Sequence, residues 1–139
     1  MKTIRQLVSL AIILLMSSAC ATAPARLSEK YNLDNQLEYV PQLFELNLIS
    51  WDRVDNQSFI LQTSPSEYYL IILESKSHSL PFCNTITISN TNSVVWPNYN
   101  NVIVNDDGWE DSYTIDKIYK FRDYAQVKAI RAQLTRDTK

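Results

Sequence analysis

The 139-residue chain has one glycine, one histidine and two cysteines, and this scarcity excludes several kinds of site. A loop that wraps phosphate groups with backbone N–H groups needs several glycines, and Gly108 stands alone. His78, Cys20 and Cys83 are too few for a closed zinc site. His78 also lies in a polar, serine-rich loop that we expect to be exposed, where nothing fixes the geometry of a catalytic base. We therefore predict no metal site, no cofactor and no enzymatic activity.

The chain also lacks a large excess of charge of either sign. Its formal net charge is −2, and leaving out Lys2 and Arg5 gives 11 basic against 15 acidic residues, or −4. These charges are scattered and form no basic stretch. A weakly acidic chain has no electrostatic attraction for nucleic acid, so we predict no nucleic-acid partner.

A long apolar stretch is missing too, because the run at residues 7–16 is about half of the ~20 residues that span a bilayer. Lys2 and Arg5 precede this run, and the small residues 17–19 connect it to Cys20. This order is typical of a secretory signal that ends at a lipid-carrying cysteine. We predict a lipoprotein signal peptide at residues 1–19 and acyl chains, palmitate among them, on Cys20.

The predicted anchor decides where the rest of the chain would work. Residues 20–28 are predicted to be a short tether, and residues 29–139 a single periplasmic β domain. Ala21 stands where Asp would favour the inner membrane, so we expect the periplasmic face of the outer membrane. Ordinary signal cleavage after Ala21, Ala23 or Ala25 is the alternative, and it would give a soluble periplasmic protein.

The body of the chain shows strand patterns punctuated by turn formers. Residues 68–73 form a continuous apolar run, which is typical of a central strand covered on both faces. Asp107-Gly108 between two apolar runs predicts a hairpin. The remaining strand candidates are residues 43–54, 59–61, 85–88, 94–96, 102–104 and 115–121. We predict a mainly β fold, a small antiparallel sandwich or barrel of about seven short strands.

One helix is predicted at the end of the domain, over about residues 122–136. Asp123 is suited to cap it, and the positions that recur at helical spacing are Tyr124, Val127, Ile130 or Arg131, and Leu134. The cations Lys128, Arg131 and Arg136 are expected to point outward.

Short motifs along residues 46–121 resemble a family of small proteobacterial lipoproteins of unknown function. The residues that carry the resemblance are Ile49, Trp51, Asp55, Tyr69-Leu70, Cys83, Ile86 and Ile115-x-x-Ile118. The resemblance implies an envelope location and the β fold, and it implies no activity. It also implies a pairing of two family cysteines, but Tyr113 occupies the second position here. Cys83 would then be unpaired, and its apolar neighbours favour burial.

Two acidic groups are weak candidates for chemistry. Residues 106–111 lack the spacing of a calcium loop, so a solvated hairpin turn is the simpler interpretation. Asp52 and Asp55 could form a carboxylate pair, but a turn role for Asp55 is sufficient.

The aromatic residues provide the candidate binding surface. Trp51 and the Tyr68-Tyr69 pair are predicted to be mainly core. Trp96, Tyr99 and Trp109 lie among Asn, Pro and Asp residues, and we predict that they are exposed partner-binding residues. The sequence thus favours a non-enzymatic binding or scaffolding module with an envelope protein partner. The alternatives are a soluble periplasmic ligand carrier and an enzyme with an unrecognised site.

Overall fold

The computed structural model describes residues 28–44 and 47–137. The predicted signal peptide and the lipidation site at Cys20 lie outside this part of the chain. The described part contains a short 3-10 helix, Glu29–Tyr31, nine strands and one α-helix. The strands are β1 Glu38–Tyr39, β2 Leu43–Phe44, β3 Ser50–Arg53, β4 Ser58–Ser64, β5 Glu67–Leu73, β6 Thr85–Ile88, β7 Val94–Val95, β8 Asn101–Asp106 and β9 Trp109–Lys120, and the helix is α1 Tyr124–Arg136.

One antiparallel sheet contains most of the strands, in the order β3-β4-β5-β9-β8-β6, with β1 also paired to β9. The first half of β9 pairs with β8, and the second half pairs with β5. The sheet curls about this long strand, so that Arg53 on the β3 edge donates a hydrogen bond to the Pro81 carbonyl just before β6. The mainly β class with a C-terminal helix is confirmed, and the curled sheet is closer to a barrel than to a sandwich.

Both faces of the central strand β5 are covered, as its continuous apolar sequence predicts. Because side chains alternate along a strand, Tyr69, Ile71 and Leu73 enter one core cluster. Leu70 and Ile72 enter a second cluster on the other face. The first cluster fills the inside of the curl, and the second lies under α1 and the N-terminal segment. The sheet is therefore the middle layer of the domain.

The β8–β9 hairpin forms at the predicted Asp-Gly sequence. Asp106 pairs with Trp109, which leaves a two-residue turn in which Asp107 has φ 45° and Gly108 has φ 91°. Two positive φ angles are what a type I′ turn requires, and the only glycine of the chain stands at one of them.

The closing helix is also confirmed, with Asp123 as its N-cap. The Asp123 carboxylate accepts a hydrogen bond from the Gln126 N–H at 2.9 Å. Val127, Ile130 and Leu134 are buried in the outer cluster. The local capping signal and the helical spacing agree, so the helix begins and ends close to the predicted bounds.

The predicted continuous strand over residues 43–54 is wrong. The structure has two separate strands there, because β2 pairs with β7 in a small sheet of its own while β3 pairs with β4. Leu48 and Ile49 between them are exposed. The alternating apolar pattern therefore shows that this region is extended, but it does not show that its two halves pair with different strands. The last strand also begins earlier than predicted, at Trp109, because its exposed polar half shows no apolar pattern.

Candidate functional site

The loop between β7 and β8 exposes two of the three predicted binding aromatics. Trp96 is 42% exposed and Tyr99 is 74% exposed. Together with Thr91, Pro97 and Asn98, they line a shallow depression of about 480 Å³. The surface offered here is largely aromatic and carries no charged side chain.

Asn100 holds this aromatic loop in one conformation. Its side chain is buried, and its Oδ1 accepts a hydrogen bond from the Trp96 N–H at 2.8 Å. The Asn100 N–H donates back to the Trp96 carbonyl at 3.0 Å, and the Asn98 N–H donates to the Ile115 carbonyl of β9. The loop is thus fixed to the sheet, which lowers the entropy that a binding partner would have to overcome.

Trp109, the third predicted binding residue, is 81% exposed but lies elsewhere. It follows the β8–β9 turn, whereas Tyr99 precedes β8 at the opposite end of that strand. At about 3.3 Å per residue, β8 separates the two positions by about 20 Å. Trp109 therefore belongs to a different surface from Trp96 and Tyr99.

Asp55 is a buried carboxylate whose two oxygens each accept two hydrogen bonds. Its Oδ1 accepts hydrogen bonds from the Gln57 N–H at 2.8 Å and the Ser58 hydroxyl at 2.9 Å, which confirms its turn role. Its Oδ2 accepts from the Lys30 ammonium and the Tyr31 hydroxyl, both at 2.8 Å. Burial alone would raise the pKa of Asp55, but these four donors hold the pKa below its ordinary value.

The Asp55 cluster attaches the N-terminal segment to the sheet. Burial raises the pKa of Tyr31, and the Asp55 carboxylate raises it further, so the phenol stays protonated. A second attachment lies nearby in the sequence, where the Tyr119 hydroxyl donates to Asp34 at 2.7 Å. The hydrogen bonds of Asp55, Tyr31 and Tyr119 all go to other groups of the same chain. We therefore assign these titratable groups a structural role.

A groove that sequence reasoning missed lies between α1 and the β3–β5 edge of the sheet, with a volume of about 370 Å³. Its lining residues are Ser50, Asp52, Ile60, Gln62, Tyr68, Tyr124, Val127, Lys128 and Arg131. The Arg131 guanidinium forms an ion pair with the Asp52 carboxylate across it. Asp52 thus belongs to the groove, while Asp55 belongs to the buried cluster, so the two carboxylates are not a pair. The signal available in the sequence was the pair of outward-facing cations Lys128 and Arg131 on α1.

The remaining single-residue predictions can be checked directly. His78 is exposed and Cys83 is buried, both as predicted, and Cys83 is a free thiol. Burial raises the pKa of that thiol. Within residues 28–44 and 47–137, no three His, Cys, Asp or Glu residues are grouped closely enough to hold a metal ion. In the same ranges no helix has the length and apolar character to cross a membrane.

Comparison with known sequences places the chain in a family. Residues 1–138 match the model of a family of unknown function, DUF6491. The chain belongs to the DUF6491 family. This confirms the resemblance to a family of unknown function, whereas the lipoprotein character and the bacterial source stay predictions. No curated protein and no solved structure matches the chain.

The residues that carried the resemblance lie mainly inside the fold of this DUF6491 protein. Leu70, Cys83 and Ile118 are buried, and Trp51 packs edge-on against Phe59 with ring centroids 6.0 Å apart. Tyr113, which stands at the second cysteine position of the resemblance, packs against the inner core cluster. Most residues of the resemblance therefore have a structural role, in the core or, for Asp55, in a turn, and they do not form a binding site.

Proposed function

We propose that this DUF6491 protein is a non-enzymatic binding module of the bacterial envelope. Cys20 carries the lipid anchor, and the domain lies at the periplasmic face of the outer membrane. The loop of Trp96 and Tyr99 binds an envelope protein. The observation that carries the binding role is the combination of two exposed aromatic side chains with a loop backbone fixed by Asn100.

Exposed aromatics on a fixed loop are suited to protein recognition for an energetic reason. Trp and Tyr are enriched among the few residues that provide most of the binding energy at interfaces. They contribute a large apolar area, and few rotatable bonds have to be frozen. A partner with an apolar pocket or a proline-rich segment would fit a surface that has Pro97 between the two rings.

The short tether supports a partner that lies close to the membrane. Residues 21–28 could extend at most ~30 Å from the lipidated cysteine. Beyond them, Lys30 and Tyr31 are bound to Asp55, so the folded domain begins almost directly after the tether. A partner bound by the loop would therefore lie near the bilayer, within the length of the tether plus the width of the domain itself.

The anchor is tested by intact mass and membrane fractionation of the native protein beside Cys20→Ala. We expect a triacyl mass increment and outer-membrane fractionation, both lost in the variant. A soluble native product that begins after Ala21, Ala23 or Ala25 would refute the anchor, and the ligand-carrier alternative would then replace it.

The binding surface is tested with a photo-crosslinking amino acid placed at residue 99 or residue 109 in the native host. We expect one specific protein crosslink from position 99, and we expect Trp96→Ala to abolish it. Position 109 is the matched control, because it is equally aromatic and exposed but lies at the other end of β8. Crosslinks from position 109 alone, or crosslinks that Trp96→Ala leaves unchanged, would contradict the assignment.

A further inference from the structure

The groove beside α1 combines aromatic, amide, hydroxyl and cationic groups in one concave space. Ile60 and Val127, both buried, form its apolar floor, and its volume is about 370 Å³. This falls within the range of ~300–1,000 Å³ that is usual for small-molecule sites. The groove shares no lining residue with the aromatic loop.

A line of hydrogen bonds fixes the polar side chains on the sheet side of the groove. The Ser50 hydroxyl donates to the Gln62 Oε1 at 3.0 Å, and the Gln62 Nε2 donates to the Tyr68 hydroxyl at 3.3 Å. The Gln62 amide nitrogen keeps a second hydrogen, and the Ser50 and Tyr68 hydroxyl oxygens can each accept a further hydrogen bond. The Tyr68 hydrogen itself is donated to the Pro65 carbonyl at 3.3 Å. Alternating donors and acceptors of this kind match the hydroxyl groups of a sugar.

The helix side of the groove adds an aromatic surface. The rings of Tyr68 and Tyr124 lie 5.7 Å apart and are tilted by 47°, and Tyr124 is 57% exposed. The electron-rich face of a phenol ring attracts weakly positive C–H groups. The C–H face of a pyranose ring is such a group, and it would pack here without needing a deep apolar pocket.

Two cations and one carboxylate line the groove, so its net charge is +1 in a chain of net charge −2. Arg131 is paired with Asp52. Lys128 lies 5.5 Å from the Tyr124 ring centroid, and no carboxylate of residues 28–44 or 47–137 forms an ion pair with it. A ligand with one negative charge would complement Lys128.

We propose that the groove binds an acidic sugar, a pyranose with a single carboxylate. The pyranose ring packs on Tyr124, its hydroxyl groups bond to Gln62 and Tyr68, and the carboxylate pairs with Lys128. This site is separate from the aromatic loop and does not depend on the protein partner proposed above.

The test is to titrate the isotope-labelled mature chain, residues 20–139, with matched sugars and to record the chemical shifts of its backbone amides. The acidic probes are glucuronate and N-acetylmuramate, and their neutral counterparts are glucose and N-acetylglucosamine. We expect saturable shifts at Gln62, Tyr124 and Lys128, with the acidic member of each pair binding about three-fold or more tighter, a ratio that falls with added salt. Acetate, a carboxylate without a ring, should produce no saturable shift.

Two variants separate the contributions of charge and stacking. Lys128→Gln should remove the preference for the acidic sugar and retain weak binding of both, whereas Tyr124→Ala should abolish both. Lys76→Gln, an exposed lysine in the β5–β6 loop, is the control and should change nothing. Equal binding of acidic and neutral sugars, saturation at residues outside the groove, or no saturation by any sugar would each overturn the proposal.

Discussion

Removing the Asp55 carboxylate should destabilise the domain more than any surface substitution. In Asp55→Ala, the buried Tyr31 hydroxyl, the Gln57 N–H and the Ser58 hydroxyl lose their acceptor, and Lys30 loses the carboxylate at 2.8 Å. Breaking a buried ion pair by removing one partner costs about 3–5 kcal/mol. Domains of this size are stable by only about 5–15 kcal/mol, so the loss is a large share of the total.

Urea unfolding followed by tryptophan fluorescence measures this loss. With an m-value of about 1–3 kcal/mol/M, the midpoint for Asp55→Ala should fall by about 1–5 M at pH 7. Asp52→Ala is the matched control. Its carboxylate lies three residues away in the sequence but is 59% exposed, and exposed ion pairs such as the one with Arg131 contribute about 0–1 kcal/mol.

The pH dependence of the same variant provides a second test. The pKa of Asp55 is lower in the folded protein than in the unfolded chain, so its contribution is complete above the unfolded pKa of about 4. The contribution is lost as the pH falls through the folded pKa. The difference in the free energy of unfolding between wild type and Asp55→Ala should therefore begin to shrink as the pH falls below about 4. A difference that is independent of pH, or a loss at pH 7 no larger than that of Asp52→Ala, would refute the reasoning.

Three further substitutions test single features of the fold. Asp116→Asn should stabilise the protein at pH 7, because burial raises the pKa of Asp116 and one of its carboxylate oxygens is buried without a hydrogen bond. Folding then favours the protonated acid, so wild type should lose stability relative to Asp116→Asn as the pH rises above about 4. A difference in urea midpoint between the two proteins that does not change with pH would contradict this. Gly108→Ala should lower the free energy of unfolding by about 1–2 kcal/mol through its positive φ alone, since apart from the two neighbouring residues no atom lies within 4 Å of the added Cβ. Thermal unfolding measures this loss, and Gly108→Asn should cost less than Gly108→Ala, because Asn tolerates positive φ. Equal costs for the two variants would show that φ is not the cause. Asp123→Ala should lower the midpoint of thermal unfolding by removing the cap on Gln126, whereas Asp123→Asn, which can still cap, should keep most of the stability.

Local signals explain why parts of the fold could be predicted from the sequence. The β8–β9 turn needs positive φ at two adjacent residues, and Asp107-Gly108 meets that need within the turn itself. The cap at Asp123 and the burial of Val127 and Leu134 likewise depend on residues within one helix. The β5 strand is recognisable because both of its faces are apolar. Each signal lies inside the element that it predicts.

The groove and the Asp55–Lys30 ion pair depend on residues that are distant in the sequence, and that is why they could not be predicted. Asp55 and Lys30 are 25 positions apart, and Asp52 and Arg131 are 79 apart. Arg131 on α1 reaches β3 only because the helix packs across the outer face of the sheet. In the sequence, Asp52 and Asp55 are two similar acidic residues beside a turn. The fold makes one a buried anchor and the other part of a groove wall.

The positions of the two proposed binding surfaces along β9 make them independent of each other. The aromatic loop is bound to Ile115 of β9, whereas Tyr68 of the groove accepts a backbone hydrogen bond from Phe121 just beyond that strand. Six residues of extended chain separate these points by about 20 Å. Substitutions this far apart, with no shared partner, usually act additively. Trp96→Ala should therefore leave sugar binding unchanged, and Tyr124→Ala should leave the protein crosslink unchanged. Since neither ligand would obstruct the other, one domain could hold an acidic sugar and an envelope protein at the same time.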